Sequence, residues 1–188
     1  YCNLDVHRNK INHIFSKARS EGESSDAAIS GLKNFLSDEL SIKLDAHILV
    51  DGEDFRNLVE AIGGVDIELT EDISLYNGEN AVLTLKKGLN HLGPEEAMLF
   101  VRHRSGYLRG DIDRLEMQSV FIRGLFGTLM NKTDLSAMLR VASVLKTCET
   151  DISLKTLISI FSNRKSFVGA APEGVILPGE AKKGKNGI

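Results

Sequence analysis

Four arginines, Arg102, Arg104, Arg109 and Arg114, crowd the stretch from position 101 to position 118, and the pair Gly110 and Asp111 among them opens a long apolar run. Arg102 and Arg104 are two positions apart, so they cannot share one face of a regular helix. They fit better where a helix unwinds into a loop. Asp111 is a good N-cap for the helix that follows, and Asp113 adds an acid to its first turn. Arg114 and Gln118 are four apart and stack on one face of that helix. Together these residues describe a helix N-terminus with free N–H groups, ringed by guanidinium forks. That is a seat for a phosphate or pyrophosphate. The plainer alternative is that the arginines are solvated or paired with Asp111, Asp113 and Glu116.

The elements that must position this stretch read as follows. Residues 9–18 form a short amphipathic helix, with Ile11, Ile14, Phe15 and Ala18 on one stripe. A polar loop leads to a second helix, capped by Ser25 or Asp26 and apolar at Ala28, Ile29, Leu32, Phe35, Leu36 and Leu40. Both are covers for a sheet. Residues 46–51 are the first clear strand, with His47 a partly covered strand residue. A helix through Phe55, Leu58, Val59 and Ile62 then stops at Gly63 and Gly64. Residues 65–69 alternate strictly, as a half-buried strand does. This strand–helix–strand run predicts a crossover unit and an α/β layer. Residues 71–80 read as a loop turning at Asn77 and Gly78, and residues 82–87 as a strand. Pro94, followed by Glu95 and Glu96, starts a helix buried by Ala97, Leu99, Phe100 and Val101.

The helix over residues 111–131 is apolar nearly all round, which predicts a central buried helix. Its polar end would hold the phosphate, and apolar side chains farther along would line a slot for a lipid tail. Gly124 and Gly127 permit close approach of a neighbouring helix or a ligand. Thr133 or Asp134 caps a further helix and Ser153 begins another; both are packing helices. Residues 168–170 and 175–179 suggest a final strand and turn. Residues 182–188 are a basic tail with little to bury, expected to be mobile.

Composition narrows the chemistry. A chain of 188 residues with 42% hydrophobic content supports one domain with a real core. A net charge of −3 argues against a general polyanion binder, so the basic character is local. Aromatic residues make up 6% and there is no Trp, which leaves few stacking platforms for single-stranded nucleic acid. No apolar run reaches the ~18–20 residues of a membrane span. Cys2 and Cys148 either pair outside the cell or are two free thiols. No Cys-x-x-Cys, His cluster or His-Glu-x-x-His pattern points to zinc.

The spacing resembles that of the LytR-CpsA-Psr family, whose signature runs R-x-R, then G-D, then G-R-x-x-R-Q. This chain reads Arg102-His103-Arg104, Arg109-Gly110-Asp111 and Asp113-Arg114-Leu115-Glu116-Met117-Gln118. The run from Val50, Asp51 and Phe55 to Gly63, Gly64, Val65, Asp66 and Ile67 matches a second motif of that family. The segment from Gly88 to Arg104 matches a third, with Phe100 where an aromatic is usual. The likeness covers most of residues 10–179.

The resemblance implies an α/β fold of α+β type, with a central mixed β-sheet covered by helices, a buried apolar helix and a lipid-binding pocket. Residues 1–180 would be the family's catalytic-type domain without its N-terminal part. The activity implied is phosphoryl transfer. A glycopolymer of teichoic acid or capsular polysaccharide type moves from a polyprenyl-pyrophosphate carrier to peptidoglycan, at the extracytoplasmic face of a bacterial membrane. The anchor would lie outside this segment, and no nucleic acid is involved. Arg102, Arg104, Arg114 and Gln118 would contact the pyrophosphate. Asp111 would be the catalytic carboxylate, more suited to orienting an arginine than to acting as a base, because neighbouring guanidiniums hold it ionised. Arg109 is a weaker candidate of the same kind, and Lys10 and Asn12 fall in a K-I-N element of the family.

Two departures stand out. Met117 replaces the usual arginine before the glutamine. The family's carboxylate pair for Mg²⁺ and its S-I-P-R-D arginine are not found in these residues, so no metal ligand is assigned here and magnesium is expected through carboxylates upstream. The isolated segment is therefore expected to retain little or no transferase activity. The alternatives are a non-catalytic domain that only holds polyprenyl phosphates, or a DNA-binding regulator as older family naming has it. Against the latter, no helix-turn-helix is evident.

Overall fold

A computed structural model describes residues 12–77, 80–103, 111–131, 135–163 and 166; of Asn12, Asn77, Asp111, Ile112, Leu135 and Phe161 it describes the backbone alone. Two compact units, Tyr1–His47 and Ile48–Ile188, divide the chain.

The first unit contains helices α1 (Asn12–Ser20) and α2 (Ser25–Leu40), which pack on one another. Ser24 caps α2: its backbone is extended and its hydroxyl accepts from the Ala27 N–H at 3.2 Å. The cap thus falls one residue before the expected Ser25 or Asp26, because Ser25 already has helical geometry. Ala28 and Ile29 are its buried residues.

The second unit runs β1 (Ile48–Leu49), α3 (Gly52–Ile62), β2 (Val65–Leu69), β3 (Ile73–Asn77), β4 (Asn80–Leu85), β5 (Gly88–Leu92), α4 (Pro94–Arg102), α5 (Asp111–Asn131), α6 (Leu135–Leu145), β6 (Glu149–Thr150) and α7 (Leu154–Ser162). Asp51 leaves the strand to cap α3, its Oδ1 accepting the N–H groups of Glu53 and Asp54 at 2.8 Å each. Gly63 ends the helix at φ 75°, donating to the Glu60 carbonyl, and Gly64 donates to that of Val59. This left-handed stop is the one expected from the Gly-Gly pair. β2 then alternates buried and exposed as its sequence dictates.

The α/β class holds, but the described strands form three two-stranded antiparallel pairs, β1 with β6, β2 with β5 and β3 with β4. The crossover unit expected over residues 46–69 is corrected on this point: β1 and β2 do not pair with each other. β1 is two residues long, and β2 finds its partner in the chain segment returning just before α4. The expected loop at residues 71–80 is also corrected. Ile73–Asn77 is a strand, with Leu75 buried and Ser74 opposite Thr84, their hydroxyls 3.2 Å apart. The β4–β5 turn is braced by Asp72, whose Oδ2 takes the Lys86 ammonium and whose Oδ1 takes the Lys87 N–H, both at 2.8 Å. The Lys86 bond first, then that of Lys87, holds the Asp72 carboxyl below the usual carboxylate range.

The core gathers Val59 and Ile62 of α3, Val65 and Ile67 of β2, Phe100 of α4, Phe121 of α5 and Val141 of α6. Phe121 is its hub, with ring centroids 5.4 Å from Phe55 and 6.5 Å from Phe100. Helix α5 lies along β2: the Asp66 N–H donates to the Thr128 hydroxyl at 3.4 Å, and a Cβ at Gly124 would collide with the Asp66 carbonyl oxygen. Gly124 therefore answers to strand packing. Yet α5 is not the fully buried helix its composition predicts. Leu115 and Ile122 are 44% and 55% exposed. They are seven positions apart and share a face on which the described residues lay no cover. The candidate strand at residues 168–177 and the tail at 182–188 lie outside the described residues, as do the caps at Thr133 and Asp134.

Candidate functional site

The arginine stretch is built at the junction of α4 and α5. Gly93 and Pro94 start α4, and the Glu96 carboxylate turns back to accept the Gly93 N–H at 2.8 Å. Ala97, Met98 and Phe100 bury one side of the helix. It ends at Arg102, which is exposed, and His103 follows in an extended conformation, φ −59° and ψ 136°. The helix thus unwinds between Arg102 and Arg104, where their two-residue spacing required it.

His103 turns the other way from Arg102. It is only 4% exposed. A register shift between Leu75 and Tyr76 interrupts the β3–β4 ladder, and the Tyr76 N–H donates instead to His103 Nδ1 at 3.4 Å. The two rings stack with centroids 6.1 Å apart. Sequence reasoning passed over this residue, attending to the arginines on either side. The available signal was a histidine at the position that the i, i+2 geometry turns inward.

On α5, Arg114 and Gln118 are half-buried on one face, as their spacing predicts. Gln118 Nε2 donates to the Val101 carbonyl at 3.1 Å, tying the second turn of α5 to the last turn of α4. Met117, at the position where the family signature carries an arginine, packs partly buried against the core. Asp113, Arg114 and Glu116 each have a partner. Asp111 is the first residue of α5, and its side chain lies outside the described residues. Arg104, Arg109, Lys10 and Cys2 lie outside them too, as does the side chain of Asn12. The structure thus brings the neighbourhoods of Arg102, Arg114 and Gln118 together through the Gln118–Val101 bond.

Among the described residues, no group of three or more His, Cys, Asp or Glu side chains is placed to hold a metal ion. No helix among them is long and apolar enough to cross a membrane. What the junction offers chemically is anion recognition: an exposed guanidinium at the end of one helix, and a guanidinium and an amide one turn apart near the positive end of another.

The model of the LytR_cpsA_psr family matches residues 2–186. The chain belongs to that family. It is 26% identical over 167 residues to the polyisoprenyl-teichoic acid–peptidoglycan teichoic acid transferase TagV of Bacillus subtilis (strain 168), covering 84% of this chain and 40% of that protein. It is 26% identical over 189 residues to a transferase of the same printed activity, TagU of Bacillus cereus, covering 95% and 54%. The chain thus spans about half the length of the curated relatives it matches. Among solved structures, the crystal structure of B. subtilis TagV superposes with a TM-score of 0.77 at 21% identity, covering 99% of this chain and 68% of that one. TagT bound to LI-WTA gives a TM-score of 0.57 at 19% identity, covering 79% and 53%. These likenesses establish the LytR_cpsA_psr fold for the chain.

Proposed function

We propose that this chain supplies the carrier-binding part of an enzyme that transfers a cell-wall glycopolymer, of teichoic acid or capsular polysaccharide type, from a polyprenyl-pyrophosphate carrier to peptidoglycan. The observation that carries this reading is the Gln118–Val101 bond, which holds the Arg102 end of α4 against the Arg114 face of α5. Family membership and the printed activities of TagU and TagV support it. So does the exposed apolar face of Leu115 and Ile122, which begins one residue after Arg114 and suits a hydrocarbon chain trailing from the phosphates.

In this reading Arg102, Arg104, Arg114 and Gln118 grip the pyrophosphate. An acceptor hydroxyl oxygen attacks the phosphorus bearing the glycopolymer. A new phosphodiester forms, the P–O–P bond breaks, and polyprenyl phosphate leaves with the electron pair. Guanidinium groups fixed around the leaving phosphate stabilise the charge that develops there. Asp111 orients an arginine and stands nearest to assist loss of the hydroxyl proton. Magnesium would be held by carboxylates outside residues 1–188, and no step is assigned to it here. The site would face the extracytoplasmic side of the membrane, held there by an anchor outside this segment.

The second reading, a domain that binds polyprenyl phosphates without catalysis, is favoured by one observation: an apolar Met117, packed on the core, stands where the family carries a cation. Titration with a polyprenyl pyrophosphate tests what both readings share. Arg102→Ala and Arg114→Ala should each weaken binding by more than about 1 kcal/mol, as loss of a charge-assisted hydrogen bond does. Unchanged affinity in both variants overturns the placement. A magnesium-dependent transfer assay on the complete gene product then separates enzyme from binding domain.

A further inference from the structure

A second concavity opens on α5, away from the arginine junction. It is a cleft of about 840 Å³ between α5 and the β2–β5 pair. Its polar lining includes the carboxylates of Asp66 and Glu68, the cations of Lys87 and Arg123, and the amide of Asn131. Asp66 is held in place by His91, directly opposite it on β5, with Oδ1 and Nδ1 2.7 Å apart. The Lys87 backbone is fixed by Asp72.

Gly127 is the informative residue. A glycine inside a helix destabilises it relative to alanine, so it calls for a reason. Gly124 has one in the Asp66 carbonyl, whereas a Cβ at Gly127 would meet nothing within 4 Å. No neighbouring element among the described residues requires that glycine. Its bare backbone is part of the cleft lining and leaves that wall open.

We propose that this cleft binds a saccharide strand, the acceptor glycan of the transfer; the assignment of acceptor rests on the preceding reading of the arginine junction. Two carboxylates and two cations cancel in formal charge, so the cleft is a poor seat for a phosphodiester polymer, which Asp66 and Glu68 repel. Interleaved acceptors and donors instead suit hydroxyl and amide groups, each of which can give and take a hydrogen bond. The place also fits. Val120, the lining residue of α5 nearest its N-terminus, is six positions from Arg114, roughly 9 Å along the axis. Gly127 is five positions beyond Ile122, roughly 140° round the helix. A sugar strand in the cleft and a lipid on the Leu115–Ile122 face would therefore lie on different sides of α5, with the arginines at the end both approach.

The test is calorimetric titration of the complete gene product with a tetrasaccharide of β-1,4-linked N-acetylglucosamine and, separately, with inorganic pyrophosphate. The tetrasaccharide is expected to bind, and Gly127→Phe to weaken it at least tenfold while pyrophosphate affinity stays unchanged. Gly127→Ala should raise the melting temperature yet weaken the tetrasaccharide. Should Gly127→Phe fail to fold, Glu68→Gln combined with Arg123→Ala, both on exposed side chains, replaces it with the same expected loss. Absence of tetrasaccharide binding, or affinity indifferent to these variants, overturns the proposal. Tetrasaccharide binding intact but no pyrophosphate binding that depends on Arg102 overturns instead the reading of the junction.

Discussion

Gln118 Nε2 donates to the carbonyl oxygen of Val101, 3.1 Å away, and so joins the helix that carries Arg114 to the residue before Arg102. One N–H of the amide is used this way, and the rest of the group remains for a ligand. Gln118→Ala should therefore cost about 0.5–1.5 kcal/mol of stability, as for one ordinary hydrogen bond, together with a loss in polyprenyl-pyrophosphate affinity. Gln118→Glu should be worse on both counts, although it is nearly the same size. It sets a carboxylate against a carbonyl oxygen and a negative charge beside the pyrophosphate. Parallel thermal melts and ligand titrations check this. An affinity for Gln118→Glu equal to that of the native chain would remove Gln118 from the site.

The Tyr76–His103 contact leads to a prediction of a different kind. His103 Nδ1 accepts a backbone N–H that the shifted β3–β4 ladder does not use. His103→Phe keeps the stacked ring but removes the acceptor, leaving the Tyr76 N–H to lose its partner beneath the turn. The expected cost is about 1–3 kcal/mol of stability. Hydrogen exchange at the Tyr76 amide should accelerate more than at Leu75 or Leu85, whose positions lie inside the regular ladder. Because the same histidine sits between Arg102 and Arg104, pyrophosphate affinity should fall as well. Uniformly faster exchange across β3 and β4 would show that His103 acts through general packing instead.

These two contacts also mark how far the chain could be read in advance. The stop of α3 at Gly63 and the alternation of Val65, Ile67 and Leu69 were legible because each follows from local geometry: a left-handed cap and a two-residue period. The end of α4 at Arg102 was legible for the same reason, since two arginines at i and i+2 diverge on a helix. The choice of strand partners was not. Ile73 and Leu75 offer only two inward positions, too few to separate a strand from a loop, and nothing local tells β2 to pair with β5. Periodicity also shows where apolar residues fall without showing what covers them. Leu115 and Ile122 on α5 are the case in point. At the site, Arg114 and Gln118 could be paired by spacing, whereas the inward turn of His103 depends on a bulge in a distant hairpin. Gly127 could be noticed as a glycine in a helix, but only coordinates distinguish it from Gly124.

Cys148 gives a pH-dependent prediction. Its side chain is buried beside Asp54, which also accepts the Thr147 hydroxyl at 3.1 Å. Burial, then the charge of Asp54, pushes the thiol above its ordinary value. Maleimide labelling, read by mass spectrometry so that Cys2 and Cys148 are resolved, should show Cys148 reacting half-maximally at a higher pH than a free thiol. Asp54→Asn should move that point down. The stability effect has a definite sign. The thiol is held neutral in the fold, so its contribution is complete below the unfolded value of about 8.5 and fades as pH rises through the raised folded value. Urea midpoints should therefore decline above that pH, and Cys148→Ala should flatten the decline. A midpoint that rises with pH over this range would contradict the assigned cause.

Phe121 distinguishes loss of fold from loss of function. Its ring meets Phe55 of α3 and Phe100 of α4, so it fixes α5 against both and sets the height at which Arg114 stands. Phe121→Ala opens a cavity where three rings converged, with an expected cost of about 3–5 kcal/mol. That is a large part of the ~5–15 kcal/mol a domain usually possesses. Phe121→Leu fills most of the same volume and should cost about 1 kcal/mol or a little more. Both variants leave every proposed ligand contact in place. Pyrophosphate affinity, measured on the folded fraction at low temperature, should therefore be near native for Phe121→Leu and reduced for Phe121→Ala in step with its unfolding. Arg114→Ala should show the reverse, a near-native urea midpoint and a weakened ligand. If Phe121→Leu remained folded yet lost affinity as Arg114→Ala does, the orientation of α5 would matter to the pyrophosphate seat beyond mere stability. The Gln118–Val101 bond would then be too weak, by itself, to hold the two arginine-bearing helices in register.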